Sequence, residues 1–148
     1  MANSIWTQAA TAILSILNIP AAPCVFYRAR FEAVADDEVA GNLMPQIIDC
    51  RQADSARDSM NIDFSVVLRC YTAAACEVDL AADPLVVWAW QQIRKDPTLG
   101  GLASDAYIDK IEFGYLDKGA SDQVCVDITV HVEVTIGRDD PTINMLLP

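Results

Sequence analysis

The chain has one histidine, His131, and five cysteines, Cys24, Cys50, Cys70, Cys76 and Cys125. These are the side chains from which a nucleophile and its base could be built, and such a pair must lie within hydrogen-bond reach. Cys125 and His131 share the stretch "VCVDITVHVEV". If that stretch is a strand, they stand about 20 Å apart and cannot form a dyad. Cys24 points with the polar residues of its own segment, so a cross-strand pairing with His131 is conceivable. The plainer expectation for His131 is a surface or interface histidine. An odd number of cysteines, irregularly spaced and without a C-x-x-C, fits neither a disulfide framework nor a zinc site. Reduced thiols are expected.

The carboxylates offer a second kind of chemistry. Asp36, Asp37 and Glu38 form one acidic run, and Asp139 and Asp140 another. Neither has the alternating ligands and central glycine of a calcium loop. Solvated loop charge is the expectation, with an adventitious divalent site between subunits as the lesser alternative. Asp63, Asp127 and Glu133 fall on one polar face and could do acid–base work in a cleft, but arginines on that face point to ion pairs instead. Gly100-Gly101 lacks the Lys and Ser/Thr of a phosphate cradle. Trp88 and Trp90 read as core and subunit contacts. Neither a cofactor nor a metal is expected, and no catalytic residue is assigned: the chain does not read as an enzyme.

Charge narrows the partners. Ten Lys+Arg stand against 21 Asp+Glu, a net charge of −11. Such a surface does not replace the counterions of nucleic-acid phosphates and is not drawn to an anionic membrane, although DNA could slide past it without sticking. Hydrophobic residues make up 53% of the chain, which excludes disorder. The apolar N-terminal stretch has no basic flank and is broken by Thr7, Gln8, Thr11 and Ser15, so it reads as a helix and not as a signal peptide.

The elements that would position these groups follow from periodicity. Apolar residues at Ile5, Ala9, Ala12, Ile13, Ile16 and Leu17 predict a helix over 4–17, capped by Asn3 or Ser4. Residues 24–34 alternate, with Val25, Tyr27, Ala29, Phe31 and Ala33 on one face and Arg28, Arg30 and Glu32 on the other. An acidic loop "ADDEVAGN" precedes a short strand, "LMPQIIDC", whose Pro45 suits an edge or a strand start. A polar loop over 50–60 leads to a strand at 61–71 with Ile62, Phe64, Val66, Leu68 and Cys70 on one face. A second helix starts at Asp83 as cap and Pro84 as first residue, carries a stripe of Val86, Ala89, Trp90 and Ile93, and stops at Asp96-Pro97. Gly100-Gly101 then turns the chain, anchored by Leu99 and Leu102, with a short helical turn over 103–106. A strand over 107–118 and the turn "GASD" lead to the strongest signal, alternating Val124, Val126, Ile128, Val130, Val132, Val134 and Ile136.

These elements compose an α+β fold: a mainly antiparallel sheet of four to five strands with two main helices packed on one face. Residues 1–148 form a single domain, of which 138–148 is a C-terminal extension. Its apolar end must pack on its own domain or on a neighbour. The other sheet face is expected to be polar, with charges of both signs at Arg28, Arg30, Glu32, Asp63, Arg69, Asp127 and Glu133.

The segments "DPLVVWAWQQIRKDPTLGGLASDAYIDKIEF" and "VCVDITVHVEVTIGRDDPT" resemble the C-terminal half of the tail-terminator (tail completion) proteins of long-tailed bacteriophages, the family of the lambda minor tail protein U. The shared pattern is a helix, a Leu-Gly-Gly turn, a strand, and a long final strand with a trailing R-x-D-P segment. Residues 83–142 carry most of it. The resemblance implies a virion protein, assembled in the bacterial host cytoplasm, that forms a homohexameric ring. The ring would cap the tail tube, end its polymerisation and dock the head-side connector while DNA passes through. Its working parts would be interfaces. Arg28, Arg30 and Arg69 are candidates for inter-subunit ion pairs, Arg138, Asp139 and Asp140 for the neighbour contact, and Asp36, Asp37 and Glu38 for the tube or lumen. The alternatives are another head–tail joining or neck protein, a small thiol- or carboxylate-dependent enzyme, or a small-molecule binding domain.

Overall fold

The structure, a computed structural model, describes residues 2–29, 39–49, 59–72, 78–115 and 124–146. In chain order the elements are α1 (Ile5–Leu17), β1 (Val25–Arg28), β2 (Ala40–Asp49), β3 (Ser59–Thr72), α2 (Val78–Lys95), a 3-10 turn at Leu99–Gly101, β4 (Asp105–Tyr115) and β5 (Val124–Gly137). The strands form one five-stranded sheet in the order β1-β2-β3-β5-β4. All pairings are antiparallel except β1 with β2, which is parallel. Both helices lie on one face, so the α+β reading holds. Arg30, Glu32, Phe31, Ala33, the acidic run Asp36–Glu38, most of the 50–60 loop, the "GASD" turn, Cys50 and Cys76 fall outside the described residues.

The core rests on alternation in β3 and β5. Ile62, Phe64, Val66, Leu68 and Cys70 of β3, and Val126, Ile128, Val130, Val132, Val134 and Ile136 of β5, are all buried beneath the helices. One face of each strand is thus continuously aliphatic, and this fixes register: a slip of one residue would turn the whole set to solvent. β4 pairs antiparallel with β5, with a register shift between Ile108 and Lys110.

Helix α1 begins at its Ser4 cap, whose Oγ accepts from the Thr7 N–H. It presents Ile5, Ala9, Ile13 and Leu17 to the sheet. Helix α2 departs from expectation at its start. It begins at Val78 and carries Pro84 inside, because the stripe that docks it is Ala82, Leu85, Ala89 and Ile93, which reaches back before the proline. The ring leaves the Leu80 carbonyl without its helical donor, and Leu80 lies at the surface, 62% exposed, where solvent can reach it. The tryptophans are also reassigned. Trp90 faces out, whereas Trp88 packs against the core and donates Nε1–H to the Leu17 carbonyl at 3.1 Å, closing the C-terminal end of α1.

The short β1 reverses its predicted faces. Phe26 points into the core at 2% exposure, while Val25 and Tyr27 lie outward. Val25, Phe26 and Tyr27 are apolar in succession, so alternation over this stretch could not choose a face. Packing against Gly41 chooses it. A Cβ at position 41 would sit 2.2 Å from Phe26 Cδ1, so the ring occupies the space a side chain would need. Asn18 closes the outer edge of β1, its amide donating to the Phe26 carbonyl at 2.8 Å and its Oδ1 accepting the Phe26 N–H at 2.9 Å. Residues 40–42, assigned to the acidic loop from sequence, belong to β2. Pro45 lies inside β2, beyond the last β1 pairing at Leu43 and at a register shift, where a strand tolerates a missing N–H.

The Gly-Gly connection is a tight reversal. Leu99, Gly100 and Gly101 have φ of 50°, 71° and 92°, a conformation glycine adopts without steric cost. Leu99 is buried there. No helical turn follows; Asp105 already starts β4. The C-terminal extension folds back on its own domain. The Met145 N–H donates to the Thr135 carbonyl at 2.9 Å, and the Ile5 N–H at the start of α1 donates to the Pro141 carbonyl at 2.8 Å. Asn144 Nδ2 reaches the Gly101 carbonyl at 3.0 Å. The tail thereby ties together β5, α1 and the Gly-Gly turn.

Candidate functional site

The face of the sheet away from the helices is where the charged residues of β3, β4 and β5 gather. Pairing lays them out in cross-strand rows. In one row Arg69 of β3 faces Asp127 of β5, and Asp127 faces Glu112 of β4. In another, Asp63 faces Glu133, and Glu133 faces Asp105. The row beside it holds Ser65, His131 and Tyr107.

The first row is neutralised. Arg69 donates from Nε to Asp127 Oδ1 at 2.7 Å and from its terminal nitrogen to Oδ2 at 2.9 Å, a fork-to-fork pair. The hydrogen bond to Asp127 raises the guanidinium pKa above its already high value. Lys110 pairs with Glu112. The expected trio Asp63, Asp127 and Glu133 is therefore divided. Asp127 is satisfied by Arg69, and six residues of extended β5 separate it from Glu133 by about 20 Å.

The second row has no such partner among its members. Counting Asp49 of β2, which pairs with Asp63, four acidic residues stand in line across four strands, and like charges directly opposite are unfavourable in a sheet. His131, half-buried, is the neighbouring group able to answer them: its Nε2 lies 3.8 Å from Glu133 Oε1. The ligand atoms of Asp63, His131 and Glu133 all fall within 4.8 Å of one another. Tyr107 holds the imidazole from the β4 side, ring centroids 5.0 Å apart. Burial, then the field of Glu133, Asp109, Asp105 and Asp63, raises the Tyr107 phenol pKa. The sequence brought Asp63 and Glu133 to one face but not His131 to both of them, since that needs the register of β3 on β5.

The remaining candidates go elsewhere. Arg28 sits on the helix side, as Phe26 does, and donates to Thr11 Oγ1 and to the Thr7 carbonyl of α1; it is not part of the open face. That face is not uniformly polar either, for Ala40, Val67 and Cys125 on it are buried. Asp140 is used inside the tail: Thr142 donates its N–H at 2.9 Å and its hydroxyl at 2.6 Å to Asp140 Oδ1, and these bonds lower the carboxyl pKa. Arg138 and Asp139 are exposed.

The three thiols among the described residues are poor nucleophiles. Burial raises the pKa of Cys24 to about 11, and it raises those of Cys70 and Cys125 as well. Cys24 lies next to β1, three strands from β5, so it does not meet His131. One cleft lined by Trp6, Thr7, Arg28, Ile48 and Phe64 encloses only about 20 Å³, room for a single water. No helix among the described residues is long and apolar enough to cross a membrane. No protein-family model matches this chain, and a search of characterised proteins also finds no match.

Proposed function

We propose that the chain is a structural protein of a bacteriophage tail, a tail terminator that works as a ring, without catalysis. The observation that carries this reading is the C-terminal half. There α2, the Leu-Gly-Gly reversal, the β4–β5 hairpin and the folded-back R-x-D-P segment succeed one another in the order the resemblance implies. The open sheet face presents carboxylates, Arg69 and Lys110 together, and identical subunits need both signs for self-complementary contact. Arg28 and Arg69 have partners within the chain, which leaves Arg138 and Asp139 as the better-placed neighbour contacts. The net charge of −11 suits a lumen that DNA crosses without sticking.

The partners would be further copies of the chain, the tail tube protein and the head-side connector, and the place of action the virion tail. Imaging of concentrated protein, with native mass spectrometry, tests this. Closed rings of six copies with a central hole of tube width are expected. A monomer that also fails to bind purified tail tubes would overturn the reading. The thiol-enzyme alternative has its own test: native Cys24, Cys70 and Cys125 should alkylate slowly with iodoacetamide, because the thiolate is the reactive form. One fast cysteine among them would revive it.

A further inference from the structure

We propose that Asp63, His131 and Glu133 form a binding site for a divalent transition-metal ion, with zinc as the type. The site lies within one chain and is independent of the tail-terminator reading.

The placement comes from the backbone. Asp63 and Glu133 are direct cross-strand partners, and His131 is two residues from Glu133 on the same face of β5, diagonal to Asp63. Three donors thus form a triangle on two strands whose register is locked by the aliphatic face beneath. A tetrahedral zinc ion bonds nitrogen and oxygen at about 2.0–2.2 Å, which sets its ligand atoms about 3.4 Å apart. The donors here lie within 4.8 Å of one another. Asp63 is exposed and Glu133 half-buried, so carboxylate rotation without backbone movement closes the difference.

The donor set selects the ion. An imidazole nitrogen favours zinc, copper, iron or nickel over calcium and magnesium, which prefer oxygen alone. Two carboxylates and one neutral imidazole balance a charge of 2+, and Asp105, next in the row beyond Glu133, adds a further attractive field. The cation removes the like-charge opposition that the register imposes. Tyr107 packs against the imidazole and restricts the orientation of the ring. The open side of the sheet leaves the remaining coordination positions to water.

The chain's single histidine makes the test direct. Tag-free protein is titrated with Mn²⁺ and Zn²⁺ while the imidazole proton resonances are followed. Substoichiometric Mn²⁺ is expected to broaden them before other signals. Zn²⁺ should shift them to saturation at one equivalent per chain and displace Mn²⁺, while millimolar Mg²⁺ leaves them in place. By calorimetry His131→Gln and Asp63→Asn should each weaken Zn²⁺ binding about tenfold or more, with circular dichroism unchanged. Imidazole signals that do not move with one equivalent of Zn²⁺ would overturn the proposal. Equal Zn²⁺ affinity in both variants and the parent would overturn it too, by marking diffuse association with an acidic surface. The resonance measurement uses the unaltered chain, so a variant that failed to fold would not blur the outcome.

Discussion

Two carboxylates on β5 meet opposite partners on the same neighbouring strand. Asp127 faces Arg69, which grips it with two hydrogen bonds. Glu133, six residues on, faces Asp63 and has Asp105 on its other side. Both rows are delivered by one register, and that register is set from the far face, where Val126 through Ile136 alternate into the core. Burying that aliphatic face outweighs anything charges on a wet face can gain or lose. The open face therefore receives whatever the covered face dictates. Where it receives like charges, the fold carries a small local cost that a cation would relieve.

The largest expected effect comes from loosening the register itself. Ile128→Ala removes a fully buried side chain beneath the Arg69 row and should cost about 2–5 kcal/mol, read as a lower denaturant midpoint with an unchanged slope. A loss under 1 kcal/mol would mean that the covered face does not set the register. Arg69→Ala comes next. It leaves the partly buried Asp127 carboxylate without either donor, and about 1–2 kcal/mol is expected. The double variant with Asp127→Ala should recover part of this, and strict additivity would show that the pair carries no coupling.

Glu133→Lys should act in the other direction. It places a cation between Asp63 and Asp105 and is expected to stabilise by about 0.5 kcal/mol at low salt, a gain that fades as ionic strength rises. The same change should end Zn²⁺ binding, so the two rows would become alike in electrostatics and differ no longer in chemistry. The smallest effect concerns a third solution to carboxylate charge, the hydrogen bonds of the tail. Asp140 has its pKa lowered by Thr142. Its contribution to stability is present above the unfolded-state pKa and is lost as pH falls through the lower folded value. Thr142→Ala should move the Asp140 titration midpoint back toward an ordinary carboxylate, followed by its side-chain resonance; no movement would assign the shift elsewhere.

Much of the fold was legible in the residues. The long strands β3 and β5 were, because alternation over 61–71 and 124–136 leaves one choice of face, although β3 begins at Ser59, two residues earlier than the pattern suggests. The end of α2 at Asp96-Pro97 was, because the residue before proline avoids helix. The start of α2 was not: Asp83-Pro84 carries the local signature of a helix start, yet Ala82 is buried in the core, and burial of the preceding turn overrode the cap. The faces of β1 were not legible either, since they depend on the space left by Gly41, a residue on another strand.

The candidate site divides along the same line. The sequence by itself determined which residues face away from the core, and so that Asp63, His131 and Glu133 lie on the open side, because side-chain direction in a strand has a period of two residues. Only the tertiary structure decided that Asp63 stands opposite Glu133 and Arg69 opposite Asp127. Strand neighbours and register are choices between distant segments, made by the packing of the covered face, and no local pattern records them.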